Sequence, residues 1–288
     1  MVLDDTIKNS ANDRLAPLEG HFDADVIFYY GPIQPGFARS FRDFIETLRQ
    51  SASAYDHLVV ILNSPGGSAE AVEKFVEIIR FHYSAVDFVV PDYAMSAGTI
   101  LCMSGDRIFM DYSSSLGPID PQVYNGKEWV PALGYLDKVE EMLERARAGT
   151  LSQAEFLILQ AQDLATLSRY EQARDLTVTL LKRWLVDYKF KSWTTHRTDA
   201  AKLGRPVTPD EKRDRAEQIA KTLGDNHLWH SHGRMISGKT LQSVVRLEID
   251  DYSENVPLRN MIRAYNDLLT DYITQRKIQV FMHSRLYF

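Results

Sequence analysis

The chain has 288 residues, 44% hydrophobic and 25% charged, which is ordinary for a globular protein and leaves room for one large domain or a core with an appendage. The formal net charge of −6 argues against a general nucleic-acid binder, and the single cysteine, Cys102, cannot close an intramolecular disulfide. Met1-Val2-Leu3-Asp4-Asp5 lacks a basic stretch followed by an apolar run, and no apolar run approaches the ~18 residues of a membrane span, so the expectation is a chain without signal peptide or span, in the cytoplasm.

The first half reads as alternating strands and helices. Asp25-Val26-Ile27-Phe28-Tyr29-Tyr30 is a buried strand ended by Gly31-Pro32, and Phe41, Phe44, Ile45 and Leu48 then recur at helical spacing. Leu58 to Leu62 is a second buried strand, running into Asn63-Ser64-Pro65-Gly66-Gly67-Ser68. Val72, Phe75, Val76 and Ile79 mark one buried helical face. Asp87 to Val90 is a third strand, Ser96 to Ser104 a helix of small residues, and Arg107 to Met110 a fourth strand. Such alternation implies parallel pairing with helices outside.

The second half is mostly helical. Helices are expected over 133–147, 152–165, 173–188 and 258–276. Thr208-Pro209-Asp210-Glu211 starts another, with threonine as cap, proline at the first helical position and glutamate three residues after the cap; Gly224 stops it. Val244 to Ile249 reads as a late strand. The expected division is an N-terminal extension over 1–19, a core over 20–150, and a helical region over 151–288 that completes the fold and supplies oligomer contacts. Leu176, Leu180, Leu181, Trp184 and Leu185 exceed what one small core needs, which points to a homo-oligomer.

Two turns carry chemistry. In 63–68, Pro65 ends the strand, two glycines let the backbone approach a ligand closely, and the following helix points its free N–H groups at the same spot. That is a place to hold a developing oxyanion; a plain strand-to-helix turn is the simpler account of Gly-Gly alone. In Tyr93-Ala94-Met95-Ser96-Ala97-Gly98-Thr99, a serine sits between a strand and a helix, as a presented nucleophile does; a helix cap is the simpler account of Ser96 alone. In a parallel sheet the two turns lie side by side.

Together they resemble a known family. Asn63 to Ser68 followed by Met95-Ser96-Ala97-Gly98 is similar to the proteolytic subunit of Clp and to signal peptide peptidase A. The closer resemblance is to the serine dehydrogenase proteinase family, in Asp25 to Phe28, Asn63 to Ser68, Ala94 to Thr99 and Leu116-Gly117-Pro118-Ile119-Asp120-Pro121-Gln122. It covers residues 20–145. It implies an α/β fold of the Clp/crotonase type, a spiral of strand-strand-helix units with a mostly helical C-terminal region, assembled as trimers or hexamers. It implies a serine peptidase acting on polypeptide, with Ser96 as nucleophile and the amides of Gly67 and Ala97 as oxyanion hole in a loop shaped by Gly66. Ser64 and Asp120 would support the site, unless Asp120 only anchors a turn. No metal or organic cofactor is implied.

The general base is the open position. No histidine lies between His82 and His196, where a Clp-type triad would place one. Relatives of signal peptide peptidase A use a serine–lysine dyad whose lysine opens a later helix. Lys138 stands 42 residues after Ser96, near the start of the helix over 133–147. It would have to be buried against Leu133 and Leu136 to act as a base; otherwise it is a solvated helix residue beside Asp137 and Glu141. Lys127, Asp120 and His232 are the reserves. His227, His230 and His232 could frame a metal but read better as a loop. Lys182 to Lys221 holds eleven Lys/Arg against six Asp/Glu, with aromatics interleaved, and reads as an amphipathic helix with solvated charges rather than a nucleic-acid surface. Two rivals share the fold: a crotonase-type acyl-CoA enzyme, against which Ser96 argues because that class has glycine at this turn, and a non-catalytic oligomeric interaction module.

Overall fold

Residues 2–52, 54–124, 129–197 and 199–288 are described by a computed structural model. In chain order the elements are α1 (Val2–Phe22), β1 (Asp25–Tyr30), α2 (Ala38–Arg49), β2 (His57–Asn63), α3 (Ala69–His82), β3 (Ala85–Val90), β4 (Tyr93–Ala94), α4 (Ala97–Cys102), β5 (Arg107–Met110), β6 (Ser115–Leu116), β7 (Gln122–Tyr124) and β8 (Trp129–Pro131). The second half contains α5 (Ala132–Arg147), α6 (Gln153–Gln160), α7 (Leu164–Trp184), α8 (Pro209–Leu223), α9 (Asn226–Trp229), β9 (Ile236–Ser237), α10 (Gly238–Thr240), β10 (Asp250–Asp251), α11 (Val256–Arg276) and β11 (Phe281–His283).

The main sheet has the order β10-β5-β3-β2-β1-β11, parallel except for β11, which runs antiparallel to β1. Its strands are buried on both faces, which is why they read as near-continuous Val/Ile/Phe runs. Ile27, Tyr29, Val60, Leu62, Phe88 and Val90 enter the larger core with α2, α3, α4, α7 and α8. The alternate residues Val26, Phe28, Val59, Ile61 and Val89 face α1 and α11. A second, short sheet β4-β6-β9 stands over the carboxyl ends of the long strands. It arises because β3 and β5 each break and resume as a short strand, at Pro91-Asp92 and after Asp111. Strand, short strand, helix is the repeating unit that presents both chemical turns at one end of the main sheet.

Several expectations change. The Val244–Ile249 strand does not form. Val245, Leu247 and Ile249 are buried in alternation with exposed neighbours, but a π turn over Leu241–Val245 and a left-handed Arg246 (φ 53°) break the ladder. Only Asp250–Asp251 pairs, with β5. The helix over 152–165 splits because Asp163 caps a new helix, accepting from the amides of Ala165 and Thr166. The capping box at Thr208 and Glu211 forms as expected. Leu180, Leu181, Trp184 and Leu185 are buried in the chain's own core, so they are not surplus apolar surface. Exposed apolar side chains are scattered over the described surface, Phe81 and Met235 among them, with a run of three on α6 at Phe156, Leu157 and Ile158. Part of the charge of the basic 182–221 stretch is paired, Lys182 with Glu217 and Lys202 with Glu211 within it, and Arg183 with Glu73 of α3. No helix among the described residues is long and apolar enough to cross a membrane.

Candidate active site

Both turns close at the carboxyl end of the sheet and are stitched together by backbone. The Ser64 amide donates to Tyr93 O at 3.0 Å, and the Met95 amide donates to Ser64 O at 2.9 Å. The oxyanion-type loop and the serine turn are therefore adjacent strands of one short ladder. On its other side the loop is held by Ile33, whose amide donates to Gly66 O at 2.8 Å and whose carbonyl accepts from Ser68 at 3.0 Å. This pattern skips the Gly67 amide, which has no acceptor among the described residues.

Gly66 and Gly67 lie at φ 113° and 153°, where residues with a Cβ are strained. A Cβ on Gly67 would lie 1.9 Å from Ile33 O, and one on Gly66 would lie 3.0 Å from Ser96 Cβ and 3.5 Å from the Ala97 nitrogen. The Gly66–Gly67 peptide thus packs directly on the serine, and Gly67 is fixed by its neighbour's backbone as well as by any ligand. Ser64 is fully buried, and its Oγ accepts from the Gly66 amide at 3.1 Å, which sets the loop's turn.

Ser96 sits at φ 50°, ψ −112°, and its side chain makes no cap bond to α4. The helix-cap account of this residue is therefore wrong. A non-glycine residue there stores about 1–3 kcal/mol of strain, which persists only where surrounding structure enforces it. Ser96 is 5% exposed, and the amide of Ala97, the first of α4, is free of intrahelical partners. The Gly66 Cα, Ser96 and the Ala97 nitrogen are thus close neighbours at one end of the sheet.

One support went unnoticed in the sequence. Buried Thr99 donates its hydroxyl within hydrogen-bond distance of both Ala94 O (2.8 Å) and Gly117 O (2.9 Å), and accepts from the Gly117 amide at 3.0 Å. It fastens the serine turn to the 117–121 segment, where a Cβ on Gly117 would press on Met95. That segment leads to α5, since the Ala132 amide donates to Pro121 O and the Leu133 amide to Asp120 Oδ1. Asp120 is buried, and its carboxyl is pushed up to about 6, by desolvation first, with the Leu133 amide pulling the other way.

Lys138 is not in the environment expected of a base. Its side chain is 63% exposed, and its amine donates to Glu141 Oε2 at 2.7 Å. The reason is its place on α5: Val139 and Met142 take the inward face, and Lys138 takes the outward one. Lys127 lies outside the described residues. His232 is half-buried, its Nδ1 has no partner among the described residues, and burial lowers its pKa. Its loop leads into β9, which pairs with β6 just before the 117–121 segment. Among the described residues no group of three or more His, Cys, Asp or Glu is placed to hold a metal.

The chain is 32% identical over 139 residues to the uncharacterized protein MJ0137 of Methanocaldococcus jannaschii, covering 45% of this chain and 47% of that protein. It is 36% identical over 64 residues to MJ1495 of the same organism, 22% of each. The chain thus spans less than half the length of these relatives. Among solved structures, a serine-to-alanine variant of the 1510-N membrane-bound stomatin-specific protease aligns over 40% of this chain and 60% of its own, at 21% identity and a TM-score of 0.32. Its lysine-to-alanine variant, in complex with a substrate peptide, aligns over 41% and 58%, at 20% identity and a TM-score of 0.30. The sequence profile of the ClpP-like SDH-type serine proteinases matches residues 42–214, more than half of the chain and both chemical turns. The resemblance and the Clp/crotonase-like α/β fold it implied both hold, and the chain belongs to the ClpP-like SDH-type serine proteinase family.

Proposed function

We propose that this protein hydrolyses peptide bonds, with Ser96 as nucleophile and the amides of Gly67 and Ala97 as oxyanion hole. The observation that carries the proposal is the strained, non-capping Ser96 at φ 50°, pressed against the Gly66 backbone. Strain of this kind orients the hydroxyl toward an incoming acyl carbon instead of toward the helix it precedes. The two unpartnered amides would strengthen their bonds as the carbonyl oxygen becomes an oxyanion, which is stabilisation confined to the transition state. The substrate is a polypeptide lying extended beside the Gly66–Gly67 loop.

Lys138 is the proposed base in a state where its bond to Glu141 is broken and its amine is desolvated; a serine hydroxyl needs such a proton acceptor. The 117–121 segment, fastened to the serine turn at one end and to α5 at the other, supports this, because moving it would move α5 with respect to Ser96. The exposed apolar residues of α6, the helix after α5, support assembly as a homo-oligomer. The chain's place is proposed to be the cytoplasm. The activity is tested by incubating purified protein with an unfolded polypeptide: cleavage that disappears in Ser96→Ala supports the reading, and cleavage that survives the substitution defeats it.

A further inference from the structure

Where α11 passes the carboxyl ends of the strands, it inserts a buried amide into a largely apolar face. Asn266 is 1% exposed, on a helix face whose other inward residues are Leu258, Ile262, Tyr265, Leu269 and Ile273. Its Oδ1 accepts from Asn63 Nδ2 at 2.6 Å. Its Nδ2 donates to Asp92 Oδ2 at 2.9 Å and, more weakly, to its neighbour Asp267 Oδ1 at 3.3 Å. Asn63 is the last residue of β2 and the stem of the Gly66–Gly67 loop; Asp92 stands at the break between β3 and β4 and is the stem of the Ser96 turn. A single amide, donor at one end and acceptor at the other, thus bridges the stems of both turns from a helix about 200 residues away in sequence.

We infer that Asn266 is a positioning residue that clamps the oxyanion loop to the nucleophile turn. The inference rests on the peptidase reading for its catalytic consequence, but not for its structural one. The donors and the serine act together only if their separation is held to a few tenths of an ångström; the backbone ladder through Ser64, Tyr93 and Met95 ties the turns themselves, and Asn266 adds a side-chain bridge one residue before each of those bonds, at Asn63 and Asp92. Aspartate at this position would be isosteric but could not donate, and would set a second carboxylate against Asp92. The bond from Asn63 is kept in this variant, since the new carboxylate still accepts it; pairing the change with Asp92→Asn restores the lost bond with its direction reversed, the amide at 92 now donating to the carboxylate at 266.

Three proteins are compared: the natural chain, Asn266→Asp, and Asn266→Asp combined with Asp92→Asn. Hydrogen–deuterium exchange is read by mass spectrometry at 63–68 and 92–98, with β5 as reference. The single variant is expected to exchange faster at both turns but not at β5, and the double variant to return to the natural pattern. Turnover per titrated serine should fall about tenfold to a hundredfold in the single variant with KM little changed, and recover in the double. Unchanged exchange at the two turns in Asn266→Asp, or a double variant no better than the single, overturns the clamp. If the natural chain cleaves no polypeptide, the peptidase reading fails while the exchange measurement still decides the clamp.

Discussion

Gly66→Ala is the sharpest perturbation of the site, because the added methyl group points at Ser96, the proposed nucleophile. At φ 113° the new residue carries backbone strain of about 1–3 kcal/mol. Its Cβ would lie 3.0 Å from both Ser96 Cβ and Met95 O, whereas carbon atoms in contact prefer about 3.5–4.0 Å. The loop and the serine turn must separate by roughly half an ångström or more. Since both are held by the Ser64–Tyr93–Met95 ladder, the movement is taken up at Ser96 and at the Gly67 amide. A misplacement of about 1 Å can cost about a hundredfold in rate, so a loss of roughly tenfold to a hundredfold is expected here. The melting temperature should drop by only a few degrees, as about 1–3 kcal/mol implies for a chain of this size. The assay is the second-order rate of labelling by a fluorophosphonate, beside a thermal melt. A folded Gly66→Ala protein that labels at the natural rate would refute the packing of this loop on the nucleophile. Gly67 is the poorer probe, because a side chain there collides with the Ile33 backbone before any ligand is considered.

Ser96→Gly removes a Cβ from a strained conformation, so it should abolish labelling yet melt higher than Ser96→Ala, by about 1 kcal/mol once the extra chain entropy of glycine is subtracted; equal melting points would deny the strain. Asp120 binds its proton more tightly folded (about 6) than unfolded (ordinarily 3.8), so the stability it contributes is present at low pH and is lost as pH rises through about 6. Asp120→Asn keeps an acceptor for the Leu133 amide, so at pH 7 it should be more stable by up to about 3 kcal/mol, the gap closing near pH 4; a destabilised variant at pH 7 contradicts the burial argument. Lys138→Ala should lose turnover to the same degree as Ser96→Ala, since nucleophile and base act as a unit. If it keeps the natural rate, half-buried His232 becomes the base to test.

The strands of the main sheet and the two glycine and serine turns were legible because local chemistry dictates them: β-branched runs, proline and glycine punctuation, and capping residues at fixed offsets. The same holds for α8, whose capping box is written in four residues. What escaped was set by distant partners. α1 buries only Ala11, Leu15 and Leu18 in its stripe, and it is a helix because α11 and the sheet cover that stripe. β11 has three residues and exists because β1 offers an unpaired edge. Val244 to Ile249 alternates as a strand does, and the structure uses that alternation for burial without a ladder. Lys138 shows the limit of spacing arguments, since its distance along the chain from Ser96 says nothing about which face of α5 it takes. Asn266 could not be singled out at all, because its meaning comes from Asn63 and Asp92.

The central claim is that Ser96 is the nucleophile, and site mapping tests it most directly. The natural chain is treated with a fluorophosphonate, digested, and the modified peptide is sequenced by mass spectrometry. A single adduct on Ser96, absent after unfolding the protein before treatment, is the predicted result. An adduct on another residue, or none on the folded chain under conditions that label a control serine peptidase, would contradict the account.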